Sequence, residues 1–158
     1  MKNYTHWIHD VFGTEKFMSQ AADSIIKLPP ELETLYSPIR QRLQATETLL
    51  RETLSSRHPF INQLVGHGFR LGGKRLRPAL LLMFGEACGN LSDTHTPLAA
   101  AIELIHTATL IHDDILDDAT TRRHLETINA RWSNEASVLT GDYLLAQALF
   151  MASQADDP

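Results

Sequence analysis

Prolines and glycines punctuate this chain into segments whose apolar residues recur at spacings of three, four and seven. No stretch alternates apolar and polar residues with period two while drawing on Val, Ile and Tyr, as an exposed strand would require. After Pro29-Pro30, residues Leu32, Leu35, Ile39, Leu43 and Leu50 form one apolar stripe, interrupted by Pro38. Pro59 opens a short helix through Val65, which Gly66 and Gly68 close. Gly72-Gly73 ends whatever precedes it, and Pro78 stands where a first helical turn tolerates proline. Ala79 to Phe84 is apolar on every side, which predicts a buried helix ending near Gly89-Asn90. Thr96 as N-cap, with Pro97 at the first position, launches a helix towards Asp118, and a last helix runs from about Ser137 to Ser153. The predicted architecture is all-α. Residues 29–158 form the helical body. In residues 1–28, Trp7, Ile8, Val11 and Phe12 suit either a short amphipathic helix packed on that body or a partly ordered arm.

Composition narrows the classes further. The 158 residues are 43% apolar and 21% charged, with eight Gly and seven Pro, so whole-chain disorder and low complexity are excluded. A net charge of −5 argues against a general nucleic-acid binder. Cys88 is the only cysteine, which rules out an intrachain disulfide and a Cys-rich zinc site. The longest apolar run, Ala79 to Phe84, is far short of the roughly 20 residues that span a bilayer. His6, His9, Asp10, Glu15, Lys16 and Asp23 break any signal-peptide core. A soluble, cytoplasmic protein is expected.

Charge is distributed unevenly. Arg70, Lys74, Arg75 and Arg77 fall within eight residues. A basic run alone reads as a solvated patch or nucleic-acid stripe. Beside the Gly72-Gly73 pair and a helix start, it also reads as an anion site suited to phosphate. Asp113, Asp114, Asp117 and Asp118 fall within six residues, followed by Arg122 and Arg123. On a helix, Asp113 and Asp117 lie about 40° apart and one turn along, with His106 between them in angle. Like charges at that spacing destabilise a helix, so these carboxylates should face water or a cation, and Mg²⁺ prefers such oxygen ligands completed by water and phosphate. A solvated acidic helix end is the competing reading, disfavoured because Ile102, Ile105, Thr109 and Ile111 look like core. His112-Asp113 also suits the metal dyad of a metal-dependent phosphohydrolase, with His67 or His106 as further ligands, although Asp117, Arg122 and Arg123 would then have no role.

The runs Gly72-Gly73-Lys74-Arg75-Leu76-Arg77-Pro78, Ile105 through Asp118, Arg122-Arg123 and Val138 through Leu145 together resemble the trans-isoprenyl diphosphate synthases, over roughly residues 60 to 153. The resemblance implies an isoprenoid-synthase-type helical bundle, of which this chain looks like the N-terminal part. It implies condensation of an allylic prenyl diphosphate with isopentenyl diphosphate, commonly by a dimer. Asp113 and Asp117 match the first DDxxD motif, which holds Mg²⁺ against the allylic diphosphate, and Arg122 matches an arginine on that diphosphate. Lys74, Arg77, His106 and Arg123 match the groups that bind isopentenyl diphosphate. Small residues at Ala108 and Thr109, where short-product relatives carry aromatic side chains, imply a deep tunnel and a medium or long product.

Two departures from the family pattern stand out. His124-Leu125 follows the paired arginines where many relatives have Gly, and no second DDxxD motif occurs before Pro158. The expectation is therefore a chain incomplete for catalysis alone, with apolar residues of the helices at 79–88 and 137–153 facing solvent. A non-catalytic partner subunit of a prenyl synthase and a terpene cyclase are the alternatives, and paired sites for a second diphosphate disfavour the cyclase.

Overall fold

The apolar stripe after Pro30 folds as two helices with a 3₁₀ turn between them, because Pro38 has no N–H with which to continue the ladder. The structure, a computed structural model, describes residues 30–70 and 74–155. The expectations for residues 1–28 and for Gly72-Gly73 lie outside those described. Helix α1 (Pro30–Leu35) leads through the turn Ser37–Ile39 into α2 (Arg40–Leu54). Tyr36, Ile39 and Leu43 are buried along this stretch.

Helix α3 (Pro59–Arg70) begins at the predicted proline but does not stop at Gly66 or Gly68. A Cβ on Gly68 would lie 3.1 Å from Ile111 Cδ1. That glycine therefore permits a close helix crossing rather than ending a helix. Helix α4 (Leu76–Ala87) closes as expected: Gly89 adopts φ 69°, while its N–H donates to the Glu86 carbonyl and that of Asn90 to the Gly85 carbonyl. Its burial is a correction to the sequence reading. Pro78, Ala79 and Leu82 are buried, whereas Leu76, Leu80 and Phe84, at i, i+4 and i+8, form an exposed stripe. An all-apolar helix needs neighbours on every side, and α4 packs chiefly against α2, the 3₁₀ turn and the next helix.

That next helix, α5 (His95–Leu116), starts one residue before Thr96, and no side chain caps it at Thr94. Pro97 sits in its first turn, where backbone N–H groups have no intrahelical partner to lose. His95 Nδ1 instead accepts from the Ser92 N–H at 3.1 Å. After α5 comes an unforeseen hairpin, β1 (Thr121–Arg122) paired antiparallel with β2 (Leu125–Glu126). Two-residue strands are too short to leave a periodic signal, and the class remains all-α. Helix α6 (Ile128–Arg131) is capped by Thr127. Helix α7 (Asn134–Ser153) starts three residues before the expected Ser137, because the Ser133 hydroxyl accepts from the Ala136 N–H at 3.1 Å and caps it first.

Helix α5 is the axis of the molecule. Buried Ala99, Ala100 and Ala101 let neighbouring helices approach closely, and the most extensive packing is between α5 and α7. One core cluster joins α5 to α2, α3, α6 and α7 through residues such as Leu50, Leu104, Ile111 and Leu144. A second gathers Tyr36, Ile39, Leu43, Ala79, Leu82 and Ala99 around α4. Among the described residues, no helix is long and apolar enough to cross a membrane.

Candidate functional site

Between the start of α4, the flank of α5 and the hairpin turn lies a cleft of about 470 Å³, lined by Lys74, Arg77, His106 and Arg123 among others. Four residues from three separate stretches of sequence thus meet at one concavity. Lys74 and Arg77 are exposed at its edge, and His106 is half-buried. Burial, more than any other cause, lowers the His106 pKa below its ordinary value. Arg77, Arg123 and Arg122 add to that shift, while Glu103 opposes it. A cleft of this cationic character, floored by apolar Leu110 and Ile111, can seat a polyanion with an apolar attachment.

The aspartates occupy the C-terminal end of α5. Asp113 is exposed in its last turn, and Asp117 is exposed at the C-cap, its N–H donating to the Asp113 carbonyl at 2.8 Å. Among the described residues, neither carboxylate forms an ion pair or a side-chain hydrogen bond. Two adjacent oxygen donors left to water suit Mg²⁺, which takes one or two carboxylates and completes its shell from water and phosphate. Among the described residues, no group of three or more His, Cys, Asp and Glu comes together as a closed metal cage.

Asp114 points the other way. It is buried, and its Oδ1 accepts from Arg122 Nε at 2.8 Å and pairs with Arg122 Nη2 at 2.7 Å. Arg122, read from sequence as a diphosphate contact, is thus tied to α5, and the hairpin is anchored with it. Asn129 reinforces the anchor by donating to the Ala119 carbonyl at 3.0 Å. The hairpin turn, Arg123-His124, has φ of 50° and 67°. Positive φ at both central residues is the type I′ geometry that usually recruits Gly or Asn, so the turn forms without the family's glycine.

The structure corrects several sequence expectations. Of the four residues read as core before the aspartates, only Ile111 is buried; Ile102, Ile105 and Thr109 are exposed. They share one face of α5 with Asp113 because residues three, four and seven apart align. Ala108 is not on that face: it is 2% exposed and packs in the main core. The histidines of the phosphohydrolase reading do not converge. His67 Nε2 bonds the Glu126 carbonyl at 2.6 Å, and His112 Nε2 lies 3.3 Å from the Val138 carbonyl and 3.5 Å from Asp142 Oδ1, against α7.

Two site residues escaped the sequence reading. Asp114 carried a signal: it follows Ile111 by three and Thr107 by seven, and so falls on the buried stripe. Arg75 carried none beyond membership of the basic run. It is buried, its Nε donates to Glu47 at 2.5 Å, its Nη1 donates to Glu103 at 3.0 Å, and its guanidinium stacks over Phe69.

Comparison with known proteins bears directly on this arrangement. Residues 58–158 match the polyprenyl synthetase family, a span that contains the whole cleft and the aspartates. The chain belongs to the polyprenyl synthetase family. It is 37% identical over 127 residues to a prenyl transferase of Synechocystis sp., covering 78% of this chain and 39% of that one. It is also 37% identical over 126 residues to an all-trans-nonaprenyl-diphosphate synthase of Rhodobacter capsulatus, covering 79% and 39%. Among solved structures, a decaprenyl diphosphate synthase from Rhodobacter capsulatus superposes with a TM-score of 0.72 at 41% identity, covering 77% of this chain and 38% of that one. A polyprenyl synthase from Caulobacter crescentus, complexed with calcium and isoprenyl diphosphate, also gives 0.72, at 34% identity over 76% and 37%. The helical fold is that of the polyprenyl synthetases. The chain spans about two fifths of the length of the relatives it matches.

Proposed function

We propose that this polyprenyl synthetase chain serves the Mg²⁺-dependent condensation of an allylic prenyl diphosphate with isopentenyl diphosphate. The observation that carries the proposal is the order of three surfaces around α5. Leu110 and His106 face the cationic cleft, Ile102, Ile105 and Thr109 form an open apolar stripe, and Asp113 lies angularly between the two, with Asp117 one turn further on towards the cleft side. A molecule with a diphosphate head and a hydrocarbon tail fits that order: head at the aspartates, tail along the stripe. A second diphosphate fits among Lys74, Arg77, His106 and Arg123.

Asp113 and Asp117 would hold Mg²⁺, which when bound supplies positive charge to the departing diphosphate. Arg122, fixed by Asp114, adds charge at the same end. The allylic C–O bond breaks with its electron pair leaving on the diphosphate, the double bond of isopentenyl diphosphate attacks the allylic cation, and a proton passes to the released diphosphate. No side chain needs to act as nucleophile; the chain's work is to position two substrates and screen charge. The exposed stripe, with small Thr109 at its aspartate end, supports a medium or long product. Exposed Leu139 and Leu149 on α7 support a homodimer, and a single exposed Cys88 suits the reducing cytoplasm.

Calorimetric titration of isopentenyl diphosphate onto the chain tests the assignment. Lys74→Ala, Arg77→Ala and Arg123→Ala should each weaken binding about tenfold or more, the worth of one charge-assisted contact. The allylic diphosphate should be affected less. If all three variants weakened only the allylic substrate, the two seats would be reversed.

A further inference from the structure

Lys74 and Arg77 line the cleft, but the residue between them that fixes the local backbone is Arg75, the residue at the N-cap of α4. Its φ of 51° and ψ of 38° are left-handed, a conformation that an L-residue holds only where its surroundings over-determine it. Here three helices do so. Glu47 of α2 and Glu103 of α5 each accept from the guanidinium, and Phe69 of α3 lies beneath it, 5.1 Å from its central carbon to the ring centroid. The fork geometry matters, since Nε and Nη1 serve different carboxylates, which an ammonium cannot do from a fixed position. Burial opposes the Arg75 charge, yet the two carboxylates outweigh it and raise its pKa above the ordinary value.

Glu103 adds a second consequence. It is the only carboxylate among the described residues lining the cleft, and only 4% of its side chain is exposed. Unpaired, its charge would repel a polyanion seated above it. Paired with Arg75, it becomes part of the support.

We infer that Arg75 is a positioning residue: clamped by Glu47 and Glu103, it sets the turn that presents Lys74 and Arg77 to the cleft and cancels the one carboxylate in its lining. The inference rests on the proposed reading of the cleft as a diphosphate seat. Glu47 supplies the decisive handle. It does not line the cleft, and losing its negative charge would by direct Coulomb interaction favour an anion there, so a loss of anion affinity on neutralising Glu47 must pass through Arg75.

The test is titration of inorganic pyrophosphate onto the whole chain without metal, with far-UV circular dichroism confirming that each variant is folded. Lys74→Ala is expected to weaken pyrophosphate binding about tenfold. Glu47→Gln is expected to weaken it several-fold, and the double variant should lose less than the product of the two single losses, because Glu47→Gln acts in part through the Lys74 contact that Lys74→Ala has already removed. Should Glu47→Gln be unstable, Arg75→Lys, which keeps a cation between the carboxylates, is combined with Lys74→Ala and read in the same way. Wild-type affinity in Glu47→Gln, or losses that multiply in the double variant, would overturn the positioning role while leaving the diphosphate seat intact. Unchanged binding in Lys74→Ala would instead remove the diphosphate seat, and the positioning role with it.

Discussion

At positions 123 and 124 two L-residues occupy positive φ, where the side chain crowds its own carbonyl at about 1–2 kcal/mol per residue. Arg123 gains a place on the cleft from this, whereas the exposed His124 gains nothing visible. His124→Gly should therefore stabilise the chain by about 1 kcal/mol, read as a higher urea midpoint at unchanged slope. A lower midpoint would mean that the imidazole makes a contact worth more than the backbone relief. His106 yields a pH prediction. Its folded-state pKa lies below the ordinary value of 6.5, through burial first and Arg77 next. The unfolded chain then binds the proton first, so this group's effect is absent well above 6.5 and lowers stability as the pH falls through it. A bound diphosphate would offset Arg77 and Arg123 and raise that pKa again. Diphosphate binding should consequently take up a proton, and calorimetry in buffers of different ionisation enthalpy would register it. In His106→Gln the uptake at that site should vanish.

Helix α5 shows why neighbouring positions of one element answer differently. Ala108 faces the main core, so Ala108→Phe should overpack it and cost about 1–3 kcal/mol. Thr109 lies on the open stripe, so Thr109→Phe should change stability by less than about 0.5 kcal/mol. It should, however, weaken binding of long allylic diphosphates more than short ones. Equal loss for all chain lengths would separate the stripe from the hydrocarbon tail. Across the seam, a Cβ on Gly141 of α7 would fall 2.1 Å from His112 Nε2. Gly141→Ala should displace that ring from Asp142 and destabilise the seam, yet stabilise a His112→Ala background by up to about 1 kcal/mol of helix propensity. A loss of equal size in both backgrounds would place the conflict in the backbone rather than the ring.

For the molecule as a whole, what was legible in the sequence is what local chemistry decides. Pro59, Pro78 and Gly89 mark real helix boundaries or first turns, and the apolar spacing between them specifies helices. What failed depended on partners. Gly68 reads as a stop until Ile111 is seen against it, and α4 reads as wholly buried until its neighbours prove to cover one side. The cationic residues and aspartates proposed for the site are singled out in the sequence by resemblance and spacing. Arg75 needs the fold, because Glu47 and Glu103, which hold it, are each 28 residues away in sequence, whereas the burial of Asp114 shows in its spacing and only its pairing with Arg122 across the hairpin does not. Exposed Phe84, Leu139 and Leu149 on α4 and α7 agree with the expectation that these helices turn apolar surface to solvent.

On the proposed reading two diphosphates bind side by side, one at Asp113 and Asp117 through metal and the other in the cationic cleft without it. The most direct test is calorimetric titration of isopentenyl diphosphate and of an allylic diphosphate onto the chain, each with Mg²⁺ and with chelator. Allylic diphosphate binding should depend on Mg²⁺ and be lost in Asp113→Asn and Asp117→Asn, while isopentenyl diphosphate should bind with or without the metal. Allylic binding that persists in chelator and in both variants would remove the metal-holding role of Asp113 and Asp117.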